Sequence, residues 1–127
     1  MNIKYPTFRV NKGVSTALAT STIPRIKLLP LPYSTCIMYD PDSSKPSWVH
    51  YLVTNIPNGD ITKGDVVLPY MGPSPPPGTG THHYIFEQLE QKSPYTVSVD
   101  RSGLDVDAFK KENNVTMRAT AYFLVNA

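Results

Sequence analysis

The sequence predicts a mainly β fold: an antiparallel, sandwich-like arrangement of strands with one short helix near the C-terminal end. Three observations predict it. Short apolar runs rich in β-branched and aromatic residues recur along the chain, each closed by proline, glycine or aspartate. Thirteen prolines are spread among these runs rather than gathered into a repeat, so they read as loop punctuation and not as disorder. A helical pattern with both start and stop signals occurs once, over residues 105–113. The 127 residues fit one domain, 1–127, with a single hydrophobic core.

Taken in order, residues 7–10 (Thr-Phe-Arg-Val) make a short strand candidate. A second apolar run, 26–29, is stopped by Pro30 and Pro32, and a third, 35–39, has the composition of a buried strand. Residues 40–46 form a loop, because aspartate bonds its own backbone in turns and Pro41 fixes φ. Residues 48–56 give the best strand. Trp48, His50, Leu52 and Thr54 share one face, and Val49, Tyr51, Val53 and Asn55 the other. Both faces carry apolar bulk, so the strand is expected to be central, and Pro57-Asn58-Gly59-Asp60 ends it as a turn. A short strand at 66–68 follows. Residues 71–81 carry the run Gly72-Pro73-Ser74-Pro75-Pro76-Pro77-Gly78-Thr79-Gly80. It reads as a rigid loop framing a pocket, with a polyproline ligand for a partner domain as the alternative. A strand over 83–91 places His82, Tyr84 and Phe86 on one side, and 95–99 is expected to pair nearby. In the helix, Asp105 caps the N-terminus and Lys110 and Lys111 lie in the last turn. An apolar strand at 119–125 closes the pattern.

Composition removes several classes. The net charge is +2 and the cations are scattered, with no basic stripe interleaved with aromatics, so a nucleic-acid surface is not expected. One cysteine, Cys36, lies in an apolar run and reads as a small buried hydrophobe rather than a reactive thiol. The chain shows no apolar leader and no long apolar span, so a cytoplasmic protein without a membrane span is expected. Asn114-Val115-Thr116 matches a glycosylation acceptor and is read as chance.

The residues that carry chemistry fall between positions 40 and 87. Asp40-Pro41-Asp42, Trp48-Val49-His50 and Gly78-Thr79-Gly80-Thr81-His82-His83-Tyr84 place two carboxylates, three imidazoles and a phenol in strands and Pro/Gly loops. His82 and Tyr84 alternate to the same face, roughly 6.5–7 Å apart along the strand. Imidazole N–H, phenol O–H and loop N–H groups all donate to phosphate oxygens. A carboxylate repels phosphate, so Asp40 needs a role of its own. It could orient a histidine, share a proton with a phosphate oxygen, or bind the ammonium of a zwitterionic headgroup. Each group also has a plain reading: Asp40 and Asp42 as turn formers, His50 as a bonded core histidine, Tyr84 as packing. Two His and one Asp could hold a metal, but no HxH or HExxH pattern is present. A histidine could act as a base, yet no serine sits in a nucleophile elbow. Neither an enzyme nor a cofactor or metal is expected.

At these three motifs, taken in series, the chain resembles the phosphatidylethanolamine-binding protein family, which includes the Raf kinase inhibitor protein and the plant flowering-time proteins. The resemblance runs from about residue 35 onward. It implies that family's antiparallel β-sandwich-like fold with a small anion pocket. It further implies that Asp40, His50, Ser74, His82 and Tyr84 bind the ligand, with Pro41, Asp42, Trp48, Gly78, Gly80 and His83 supporting the site. The expected ligand is a phosphate-bearing small molecule or phospholipid headgroup, and the resemblance implies a role in modulating signalling. The alternative is a regulator that inhibits a kinase or protease through its surface. The chain departs from the family pattern where Ser43-Ser44-Lys45 interrupts the usual Asp-Pro-Asp-Ala-Pro, and Val49 replaces a frequent second histidine. His83 stands where an arginine usually braces the aspartate loop, which makes the brace pH-dependent. The sequence also stops at the last strand, without the C-terminal helical extension of the animal proteins, so partner activities that need that extension are not expected. Anion affinity is expected to weaken as pH rises through the histidine range.

Overall fold

The computed structural model of the chain describes residues 1–43 and 46–127. The loop expected over 40–46 therefore lies partly outside the described residues, at Ser44 and Lys45. The strands are β1 (Asn2–Lys4), β2 (Val14–Ser15), β3 (Arg25–Lys27), β4 (Tyr33–Asp40), β5 (Trp48–Pro57), β6 (Asp65–Leu68), β7 (Thr81–Gln91) and β8 (Val115–Asn126). One α-helix, α1 (Val106–Glu112), precedes β8. β1 and β3 pair antiparallel in a small two-stranded sheet. The rest form a six-stranded sheet in the order β2-β8-β7-β4-β5-β6. That sheet is mixed, because β2 runs parallel to β8. The architecture is thus mainly β with two open sheets, not a strict sandwich.

Both faces of the large sheet are covered, which explains why its central strands are apolar on both sides. On one face Cys36, Met38, Tyr51, Val53, Tyr84, Phe86 and Phe123 pack against Ile3 and Tyr5 from the N-terminal segment. On the other Ile37, Val49, Leu52 and Leu89 pack against Val106 and Phe109 of α1. Asp105 caps α1, its Oδ1 accepting from Ala108 N–H at 3.0 Å. The helix is tied down by a buried carboxylate. Glu87 accepts from the Tyr39 hydroxyl, and its other oxygen lies 2.6 Å from Lys110 Nζ. Burial pushes the Cys36 thiol up to about 12.

β5 departs from the expected alternation. Tyr51 and Val53 share the face of Tyr84, whereas Val49 and Leu52 share the face of Phe109. Leu52 is therefore opposite the face expected for it. The reason is a β-bulge: Met38 pairs with Tyr51, but the next residue, Tyr39, pairs with Val49, which leaves His50 as the extra residue. A second irregularity, between the Ser34–Ile56 and Cys36–Val53 pairs, contains Asn55 with a positive φ of 55°. The turn after β5 has Asn58 and Gly59 both at positive φ, closed by Asp60 N–H to Pro57 C=O at 2.9 Å.

Two other expectations are corrected. Residues 7–10 form no strand; only an isolated bridge joins Arg9 to Lys4, because β1 takes β3 as its partner instead. Residues 95–99 do not pair as a strand either. Asn55 fixes that segment from the side: its Oδ1 accepts from Tyr95 N–H at 3.0 Å and its Nδ2 donates to Tyr95 C=O at 2.8 Å. A side chain has taken the ladder's place. The second apolar run contributes only β3, and the last strand starts four residues earlier than expected, at Val115.

Candidate functional site

The ends of β4 and β7, the bulge in β5 and the proline-rich loop before β7 meet around a cavity of about 450 Å³. Its walls are Asp40, Asp42, Ser43, Trp48, His50, Met71, Gly72, Ser74, Pro75, Pro76, Thr79, His82 and Tyr84. That size suits a small ligand. All five residues expected to bind ligand line it, as do Asp42 and Trp48. Pro41, Gly78, Gly80 and His83 do not. The two glycines have positive φ, 82° and 86°, and serve the turn that carries Thr79.

Pairing of β7 with β4 and β8 sends His82 and Tyr84 inward together, both 1% exposed, with ring centroids 6.4 Å apart. The bulge turns His50 towards them, and its ring meets Tyr84 edge-on at 5.2 Å. Two main-chain contacts hold the bulge: Val49 N–H donates to Arg101 C=O at 2.7 Å and Met71 N–H to His50 C=O at 2.8 Å. The Arg101 guanidinium also donates to the carbonyls of Val49, His50 and Pro69. Arg101 is not marked in the sequence, because it lies 52, 51 and 32 residues from the carbonyls of Val49, His50 and Pro69. Nothing in its neighbourhood marks it.

Asp40 is 2% exposed, and both its oxygens accept hydrogen bonds. Oδ1 takes Asp42 N–H at 2.7 Å, the aspartate turn expected of Asp-Pro-Asp. Oδ2 takes the Nδ1–H of His82 at 2.6 Å. Of the three roles open to Asp40, orienting a histidine is the one this geometry performs. The neighbouring pair repeats the pattern outside: Asp42 Oδ2 accepts His83 N–H at 2.7 Å and faces His83 Nδ1 at 2.8 Å. Burial acts to raise the Asp42 carboxyl, but these bonds to His83 outweigh it and hold it below the usual range.

Thr79 completes the chain. Its Oγ1 lies 2.8 Å from His82 Nε2 and 2.7 Å from the carbonyl of Pro76. A hydroxyl has one hydrogen to give. With that hydrogen on the Pro76 carbonyl, Thr79 Oγ1 is placed to accept from an Nε2–H of His82. The order Asp40–His82–Thr79 is that of a nucleophile triad, but a hydroxyl committed to the Pro76 carbonyl is not held by Nε2 as a nucleophile is.

His50 is set differently. Its Nδ1–H donates to Met71 C=O at 2.6 Å, which leaves Nε2 without a proton in the neutral ring. Burial drives its pKa down, against the upward pull of the Met71 carbonyl and Asp40; Arg101 adds to the lowering. Burial and the Asp40 carboxylate hold the Tyr84 hydroxyl in its protonated, donating form. Among the described residues, no three His, Cys, Asp or Glu side chains converge as metal ligands do. No helix among them is long and apolar enough to cross a membrane.

This is a small, mainly β fold with a cavity at one end of its large sheet. The family model for phosphatidylethanolamine-binding protein matches residues 14–125, and the chain belongs to that family. It is 42% identical over 66 residues to Protein MOTHER of FT and TFL1 homolog 2 of Oryza sativa subsp. japonica, a match that covers 46% of this chain and 37% of that protein. Among solved structures, it resembles the carboxypeptidase Y inhibitor crystallised with its cognate proteinase: TM-score 0.82, 19% identity, 98% of this chain and 81% of that one. The phosphatidylethanolamine-binding protein of Plasmodium falciparum is similar too, with TM-score 0.71, 20% identity, and 98% and 83% coverage. At these identities the structural likeness speaks for the fold.

Proposed function

We propose that the chain is a non-enzymatic binding module whose cavity takes a phosphate group, free or on a phospholipid headgroup. The observation that carries this reading is the convergence of three differently prepared rings. His82 donates, Tyr84 donates, and His50 offers a bare Nε2 in one partly enclosed cavity. Two donors suit phosphate oxygens. The bare nitrogen suits a P–OH hydrogen, or takes up a proton when the anion arrives. Asp40 contributes by fixing the His82 ring, and Ser74 and the Pro-rich loop shape the wall. Affinity should therefore rise as pH falls and His50 gains a proton, which burial delays to below its ordinary range, and weaken at mildly alkaline pH.

The test is titration with inorganic phosphate, phosphoethanolamine and phosphocholine, followed through the ring resonances of His50 and His82. Saturable shifts of both rings by any of the three support the reading. Undisturbed imidazoles with all three refute it. Preference for phosphoethanolamine would favour a headgroup over the bare anion.

A second reading has one specific observation behind it, the likeness to a proteinase inhibitor seen with its enzyme. Here the chain regulates a protease or kinase through its outer surface. Capture of such an enzyme by both the wild type and His82→Ala would favour this reading; loss on mutation would return the function to the cavity.

A further inference from the structure

The N-terminal part of the chain has a charge pattern that the cavity does not use. Lys4, Arg9, Lys12, Arg25 and Lys27 precede Asp40, and no Asp or Glu does. In sequence these cations are scattered, but folding gathers them. In the β1–β3 pair Lys4 stands directly opposite Arg25, and Asn2 opposite Lys27. An isolated bridge sets Arg9 opposite Lys4 on its other side. All five of these side chains (Asn2, Lys4, Arg9, Arg25, Lys27) are exposed. Like charges directly opposite across strands destabilise a sheet. Among the described residues no carboxylate lies within 4.0 Å of any of these cations; the ion pairs are all elsewhere. A groove of about 410 Å³ opens between Lys4 and Arg25, floored by Tyr5 and Pro6 and walled by Ile23.

Ile23 is 51% exposed, and Leu18, in a 3-10 turn nearby, is 86% exposed. That turn is held beside the groove floor, because the Tyr70 hydroxyl donates to Thr20 C=O at 2.7 Å and meets the Tyr5 hydroxyl at 2.7 Å. Cations with apolar side chains between them match the boundary of an anionic bilayer, where phosphates lie above acyl chains. A nucleic acid fits less well. Tyr5 is 0% exposed and Phe8 is partly buried with one face stacked on it at 5.2 Å, so the face lacks the run of open rings on which successive bases stack.

We infer that the β1–β3 face is a docking surface for an anionic phospholipid bilayer, with Lys4 and Arg25 on the headgroup phosphates and Ile23 inserted beside them. This inference does not depend on what fills the cavity.

The test is co-sedimentation of the full chain with vesicles that are roughly a third phosphatidylserine in phosphatidylcholine, and with vesicles of phosphatidylcholine alone. Binding is expected on the first only, falling as salt rises. Each cation near such a surface is worth about fivefold in affinity, so Lys4→Gln with Arg25→Gln should weaken binding roughly thirtyfold. The same double variant should keep or raise the melting temperature, because it removes a like-charge pair. Ile23→Ser should weaken binding severalfold without changing the salt dependence. Lys63→Gln, far along the chain on an exposed turn, should have no effect. Equal binding to both vesicle types, or wild-type binding by a folded double variant, overturns the inference. Tighter binding to duplex DNA than to the anionic vesicles at the same salt would overturn it in favour of nucleic acid. If no polyanion binds, the charges serve only to keep these exposed strands from pairing with other chains.

Discussion

Replacement of Asp40 separates its charge from its hydrogen bonding. Asp40→Ala leaves two donors without acceptors, His82 Nδ1–H and Asp42 N–H, which now bond at 2.6 and 2.7 Å. A buried donor left unpaired costs about 1–3 kcal/mol, and the Asp42 amide, in an exposed turn, regains water. The loss should thus be about 1–3 kcal/mol, carried by the His82 donor. Asp40→Asn is different. Its amide oxygen can accept from Asp42 N–H while its NH₂ donates to His82 Nδ1, provided His82 carries its proton on Nε2. Thr79 Oγ1 is placed to accept that proton at 2.8 Å, its own hydrogen on the Pro76 carbonyl. All groups remain satisfied, and only the charge assistance is lost, about 1–1.5 kcal/mol. Urea unfolding at pH 7.5 measures both costs, with the slope expected unchanged. Ring nitrogen shifts of His82 should show a single proton on Nε2 in Asp40→Asn. If Asn proves as damaging as Ala, or the His82 proton stays on Nδ1, the proton assignment around Asp40 is wrong.

Three further outcomes can be measured. His50 has a folded-state pKa below its ordinary value of 6.5, so the unfolded chain takes up a proton that the folded chain refuses. Its contribution to stability is therefore full above that value and declines as pH falls below it; the drop between pH 7.5 and 5.5 should shrink in His50→Gln. Arg101→Met removes donors to three carbonyls, Val49, His50 and Pro69, and should cost roughly 1.5–3 kcal/mol. The same variant should shift the His50 ring resonances, which a change remote from the bulge would leave alone. Gly59→Ala combines a φ of +73° with a new Cβ only 2.6 Å from the Leu29 carbonyl oxygen, and should cost about 2 kcal/mol or more. Gly78→Ala, at φ +82° with nothing within 4 Å, should cost about 1 kcal/mol, and thermal melts of the two variants give the comparison.

The strands around the site were legible because the period-2 pattern at His82, Tyr84 and Phe86 is unbroken there, and the helix was legible through its Asp105 cap. The geometry of His50 was not. Strict alternation puts Leu52 beside it, and only the pairing of β5 with β4 reveals the extra residue. The failed strand at 95–99 has a similar cause. Its composition suits a strand, but a neighbouring side chain, Asn55, satisfies Tyr95 first. Thr79 and Met71 do not stand out in the sequence as site groups, because a hydroxyl in a turn and a main-chain carbonyl look ordinary there. Their importance comes from what β7 and β5 bring against them. The cations of β1 and β3 appeared dispersed for the same reason: twenty residues separate Lys4 from its cross-strand neighbour.

The bulge at His50 sets regularity against recognition. Excising that one residue would restore even alternation between β5 and β4 from Trp48 to Val53 and remove one of the ladder's two irregular steps. It would also delete a wall of the cavity. A sequence optimised only for an orderly sheet would discard this position, so its retention measures how far the chain has given up sheet order to keep a hollow.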